Sequence, residues 1–183
     1  HSEYCDAAYT SGSVSIMAMD AGSVEDVCVQ VVENIGAEPD LRGVLDGMHD
    51  HFGGVDKVLA DYDRYVGIVL FESSAKAEEV FMDRLGTVTD LLFVGGSSSA
   101  AEGGQSLVYA NGRSYTGAAV LAILKTVNGY GVLKTQSAHI FSERKLTVTK
   151  SDLRNRILYE FDHRPCGEVY AEVLGIGQDE IQN

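Results

Sequence analysis

Two apolar runs with a helical pattern between them restrict this chain more than any other feature. Val66-Gly67-Ile68-Val69-Leu70-Phe71 is unbroken, and Leu91-Leu92-Phe93-Val94 follows before residue 95. Such runs fit strands covered on both faces. Between them Ala77, Val80, Phe81 and Leu85 recur at helical spacing, with Ser73 or Ser74 placed to cap the helix and Gly86 to end it. Strand, helix, strand in this compass is a βαβ unit, whose strands run parallel with a right-handed crossover.

The flanking sequence extends that pattern on one side and changes it on the other. Val14-Ser15-Ile16-Met17-Ala18-Met19 reads as a strand. Over residues 24–35 the apolar positions fit a helical period, but the β-branched content of Val27-Cys28-Val29-Gln30-Val31-Val32 favours a strand. Pro39-Asp40 opens a helix with Leu41, Val44, Leu45, Met48 and Phe52 on one stripe, and Gly53-Gly54 closes it. Gly43 and Gly47 share one side of that helix, where close packing against another element is expected. After residue 105 short strands and tight turns take over. Asn111-Gly112 and Asn128-Gly129 are hairpin signals, the first before residues 118–124 and the second before residues 130–138. Residues 145–150 and 156–161 continue the series. Pro165 then starts a last helix carrying Val169, Tyr170, Val173 and Leu174, with Gly175 after it. The expected fold is mixed α/β: one domain over residues 1–183, with a βαβ half over 1–105 and an antiparallel β-meander plus closing helix over 106–183.

Charge and cysteine usage remove several function classes. Asp and Glu number 27 against 14 Lys and Arg, for a net charge of −13. A nucleic-acid duplex or an anionic membrane repels such a surface, and no basic stripe offsets it. No apolar run reaches the roughly 18 residues a spanning helix needs, and the first residues carry no secretory signal. Cys5, Cys28 and Cys166 lie far apart with no Cys-x-x-Cys, which fits free thiols in a reducing cytoplasm. No phosphate-binding glycine motif supports a nucleotide cofactor, and no cofactor is expected. Asp46, His49 and Asp50 share a helix face near His51, and they read as a solvated face rather than a metal site.

The residues best placed for binding leave the two apolar strands. They are Glu72, Ser73 and Ser74 after the first, and Gly95, Gly96, Ser97 and Ser98 after the second. Parallel strands bring both exits to one carboxyl edge, where open α/β sheets hold ligands. Glycines allow close backbone approach, serines supply hydroxyls, and free N–H groups near Ser74 and Ala75 suit a carboxylate. A small polar metabolite such as an amino acid fits this chemistry. Ordinary turns with Gly and Ser chosen for geometry are the plainer reading. A serine hydrolase needs a base beside Ser97 or Ser98. The stretch is not a Gly-x-Ser-x-Gly elbow, and sequence brings neither His139 nor His163 to it. No residue is assigned a catalytic role.

The order of these stretches resembles the N-terminal half of FIST proteins. Ser13-Val14-Ser15-Ile16, Leu70-Phe71 before a helix, and Phe93-Val94-Gly95-Gly96-Ser97 carry the likeness. So do Val108-Tyr109-Ala110-Asn111-Gly112, Gly117-Ala118-Ala119-Val120, Leu146-Thr147-Val148-Thr149-Lys150 and the Pro165 helix ending at Leu174-Gly175. Cys166 stands where family members carry Ala, and Ala138-His139-Ile140-Phe141-Ser142 replaces their Gly-x-x-Pro-x-Gly loop. The resemblance implies a cytoplasmic sensory domain that binds a small ligand and passes the signal to a protein partner. It also implies a fragment, since the block before the first strand and the C-terminal FIST portion are expected beyond these residues. An adaptor module without a small ligand, as in a related F-box adaptor domain, is the alternative.

Overall fold

The computed structural model describes residues 2–5, 8–11, 16–100, 104–134, 143–153 and 155–182. They form a mixed α/β protein in two compact units, His1–Val132 and Leu133–Asn183.

The first unit opens with an antiparallel pair, β1 (Ser2–Cys5) and β2 (Ala8–Ser11). There follow β3 (Val24–Glu33), α1 (Leu41–His51), α2 (Val55–Ala60), β4 (Tyr65–Phe71), α3 (Glu78–Val88) and β5 (Phe93–Ser97). The hairpin β6 (Val108–Ala110) and β7 (Arg113–Tyr115) then leads to β8 (Ala118–Thr126). The main sheet has the order β3-β8-β4-β5. β4 and β5 are parallel, as the βαβ pattern requires, with Gly67 opposite Phe93 and Phe71 opposite Ser97. β8 is antiparallel to both its neighbours.

Burial explains this order. β8 lies between β3 and β4 and is the most buried strand of the main sheet. Its Ala119, Leu121 and Ile123 join Tyr65, Val69, Phe71 and the helix residues Leu45, Met48, Phe81 and Leu85 in the main core. Its alternate residues Ala118 and Val120 pack with Val108 on the opposite face. Each fully buried Leu or Ile contributes about 1.5–3 kcal/mol. Asp40 starts α1 by accepting the Gly43 N–H at 3.0 Å. Edge-on rings, Phe52 on Tyr65 at 5.2 Å and Phe71 on Phe81 at 5.3 Å, join helices to sheet. Asn111 and Gly112 both take positive φ (50° and 77°), the twist a two-residue hairpin needs.

Several local expectations give way to tertiary context. The second apolar strand starts at Phe93, not Leu91, and is an edge, so Leu92 and Val94 stay exposed. Ser73–Ala75 forms a 3-10 turn, and α3 starts after it with no side-chain cap. α3 runs through Gly86 to Val88, with Ala77, Phe81 and Leu85 inward and Val80 outward. Gly43 and Gly47 face solvent rather than another element. His49 turns into the core, being only 6% exposed, while Asp46 and Asp50 stay on the wet side. Residues 16–20 have no regular structure, and the rest of that expected strand lies outside the described residues. Asn128-Gly129 makes no second hairpin: residues 127–134 hold no strand, and 135–138 are outside the described set. The hairpin and β8, which the sequence pattern groups with the meander, belong to the first unit.

The second unit is an antiparallel meander of β9 (Val148–Asp152), β10 (Ile157–Phe161) and β11 (Arg164–Pro165), followed by α4 (Cys166–Leu174). Val169 and Ala171 are the buried positions of α4, whereas Tyr170 and Leu174 face outward. Glu172 takes Arg144 at 3.0 Å and Arg164 at 2.8 Å, tying the meander's approach to the helix.

Candidate functional site

Parallel pairing brings the ends of β4 and β5 out side by side. Ser98 N–H donates to the Phe71 carbonyl at 2.8 Å, and Glu72 N–H donates to the Ala118 carbonyl at 2.9 Å. Beyond these bonds the backbone leaves the sheet, and its polar groups need other partners. Glu72 supplies them. Its side chain, 0% exposed, accepts from Ser74 N–H at 2.8 Å, Ser74 Oγ at 2.8 Å and Gly117 N–H at 2.9 Å. Burial pushes the Glu72 carboxyl up. The Ser74, Gly117 and Ser106 hydrogen bonds together outweigh that and hold it below the usual carboxylate range. The group is therefore ionised at neutral pH.

Ser106 ties a third segment into this knot. It is buried, and its hydroxyl accepts from Ser73 N–H at 3.2 Å and Ser73 Oγ at 3.1 Å. It also shares a hydrogen bond with Ser98 Oγ at 2.6 Å. One carboxylate and one hydroxyl thus lock together the exits of β4 and β5, the segment before β6 and the turn before β8.

Beside the knot, on the face opposite the helices, lies a groove of about 380 Å³ lined by Leu70, Gly96, Ser97, Ser98, Leu107, Val108 and Tyr109. Leu70 is 44% exposed and Tyr109 67% exposed, so their apolar surfaces are open to an incoming group. Gly96 stands opposite Leu70 across the ladder, and nothing lies within 4 Å of where its Cβ would be. The missing side chain is what opens the groove floor.

The seven residues singled out from the sequence divide by role. Gly96, Ser97 and Ser98 line the groove. Ser97 donates its hydroxyl to Glu78 at 3.0 Å. Gly95 approaches not a ligand but β4: a Cβ there would overlap the Val69 carbonyl oxygen. Glu72, Ser73 and Ser74 form the knot behind the groove. The Ser74 N–H, expected to hold a ligand carboxylate, already holds the one from Glu72. Sequence reasoning did not single out Leu70, Leu107, Val108 and Tyr109 of the groove, nor Ser106 and Gly117 of the knot. Leu70 lay in an evident strand and Val108 and Tyr109 beside an evident turn, but nothing marked them as lining a groove.

The groove offers an apolar trough with a serine hydroxyl at one end and no charged side chain in its lining. Among the described residues no histidine hydrogen-bonds a serine, and no three or more His, Cys, Asp or Glu gather as a metal site. No helix among them is long and apolar enough to cross a membrane.

No curated protein and no solved structure matches the chain. The model of the FIST N domain matches residues 2–164, which takes in the sheet, the knot, the groove and the meander up to Arg164. The chain belongs to the FIST N domain family, sensory domains of signalling proteins.

Proposed function

We propose that this chain is the receptor part of a cytoplasmic signalling protein, with the groove beside Gly96 as its ligand site and a protein partner as its output. The ligand is a small metabolite with an apolar body and a hydrogen-bonding head, as in an amino acid with an apolar side chain. Its body lies against Leu70, Leu107, Val108 and Tyr109, and its head reaches the Ser98 hydroxyl. The observation that carries this reading is the Glu72–Ser106 knot. A buried ionised carboxylate is costly unless fully hydrogen-bonded, and here it and Ser106 fix four segments beside one trough. Binding rather than catalysis suits the site, because its serine hydroxyls are held by Glu72, Glu78 and one another, and among the described residues no histidine hydrogen-bonds a serine.

A thermal-shift screen against amino acids and related metabolites tests this. A ligand present at about 100 times its Kd stabilises the fold by about 2.7 kcal/mol, several degrees of melting temperature for a chain this size. Gly96→Phe fills the groove from open space. It is expected to fold normally and to lose the shift. A full shift in that variant places the ligand elsewhere. The adaptor alternative draws on exposed Val27, Leu70 and Val94, which leave apolar surface on the outward side of the sheet. A screen with no hits favours it.

A further inference from the structure

The outer edge of β5 is a second chemically defined surface. In a parallel ladder each strand turns alternate residues toward a given neighbour. Gly67 N–H donates to the Leu92 carbonyl at 2.8 Å, and Ser98 N–H donates to the Phe71 carbonyl at 2.8 Å. With Gly67 opposite Phe93 and Phe71 opposite Ser97, Val94, Gly96 and Ser98 face β4. Phe93, Gly95 and Ser97 must turn their N–H and C=O groups the other way. β5 ends the sheet order, so among the described residues these groups have no ladder partner.

Natural sheet edges are guarded by charge, proline or a bulge. β3, at the opposite end, is guarded: it carries Glu25, Asp26 and Glu33 and a register shift between Val24 and Asp26. β5, Phe-Val-Gly-Gly-Ser, has no charge and no proline, and its register with β4 is unshifted. Residues 94–97 are exposed throughout. Gly95 is required by the Val69 carbonyl, but no contact requires Gly96. A glycine there weakens the strand yet lets another backbone come close.

We propose that β5 is a docking edge for an extended segment of a partner protein, which adds as a fifth strand and sets one apolar side chain into the groove beside Gly96. Main-chain bonds to Phe93, Gly95 and Ser97 hold the segment, and the groove selects the side chain. Asp90 precedes β5, Glu78 holds Ser97 at its far end, and the chain carries a net charge of −13. The segment is therefore basic between its apolar residues. This assignment rests on the ladder and stands whether or not a metabolite uses the groove.

The test uses the full chain and an array of fluorescent ten-residue peptides that alternate Leu, Val or Phe with Lys or Arg. Binding is read by anisotropy, and amide exchange is read residue by residue. In the free chain the Gly95 and Ser97 amides are expected to exchange at least about tenfold faster than those of Gly96 and Ser98. A bound peptide slows both by about tenfold or more. N-methylating its edge-facing amides weakens binding by about tenfold or more, the scale of one lost hydrogen bond. Ser97→Pro, which removes an outward donor and no bond to β4, weakens binding similarly. The N-methylated peptide gives the same information without altering the protein. Three results overturn the proposal: Gly95 and Ser97 as protected as their neighbours in the free chain, no array peptide bound, or binding indifferent to N-methylation. None of them touches the thermal-shift result for small ligands.

Discussion

Replacing Glu72 with glutamine removes one charge and one acceptor from a side chain with no exposed surface. The amide oxygen can replace only one carboxylate oxygen. Its NH₂ then faces either Ser74 N–H, which Oε1 accepts at 2.8 Å, or Gly117 N–H, which Oε2 accepts at 2.9 Å. One or two charge-assisted bonds are lost, each worth about 1.5–3 kcal/mol. Partial retention by the oxygen leaves a net loss of about 2–4 kcal/mol. That corresponds to roughly 4–16 °C in melting temperature for a chain this size. Urea titrations of both proteins, followed by circular dichroism between pH 7.5 and 3, measure it. The Glu72 carboxyl is lowered in the fold, so the unfolded chain binds its proton first as pH falls. The advantage of the native residue is complete above the unfolded carboxyl value and shrinks as pH drops through the folded one. A gap below about 0.5 kcal/mol at pH 7.5, within the range of ordinary surface substitutions, would refute the reasoning. So would a gap that stays constant down to pH 3.

Adjacent glycines should respond in opposite ways. Gly95→Ala meets the Val69 carbonyl and is expected to cost more than about 3 kcal/mol, whereas Gly96→Ala enters open space and stays within about 1 kcal/mol, both read from urea midpoints. His49 Nδ1 is buried without a hydrogen-bond partner, and burial lowers the ring's pKa against the opposing pull of Asp46 and Asp50. The unfolded chain therefore takes up that proton first, and stability falls as pH drops from 7 through the unfolded histidine value of about 6.5. His49→Leu should flatten this slope between pH 7 and 5, and an unchanged slope assigns it to other groups.

What the sequence made legible was local or repeated. The parallel pair β4 and β5 followed from two apolar runs and a helical stripe. The strand over residues 24–33 followed from β-branching, and the turn at Asn111-Gly112 from its residue pair, although the pattern led from it into residues 118–124 and the hairpin closes on Arg113–Tyr115. The knot was half legible, because Glu72, Ser73, Ser74 and Ser98 lie next to recognisable strand ends. Ser106 and Gly117 precede recognisable strands, but nothing in their type or spacing links them to Glu72. A serine in an unpatterned segment and a backbone amide become partners of Glu72 only through the sheet order. Edges were equally invisible. Leu91-Leu92-Phe93-Val94 is apolar enough for a covered strand, and only the absence of a neighbour leaves Val94 in solvent. At Gly95 and Gly96 identical residues have unrelated causes, one a carbonyl oxygen and the other an open groove.

The placing of β8 bears on how the chain reaches this state. β3 is made first yet joins the main sheet only through a strand completed at Thr126. Until that segment has left the ribosome, β3 has no neighbour in the main sheet and β4 has only β5 beside it. Central pairing spans about 100 residues of sequence between Val24 and Thr126, and closing a loop of that length delays assembly. Two apolar strands stay available to wrong partners during synthesis. The most buried strand of the finished sheet is thus the step on which safe folding waits.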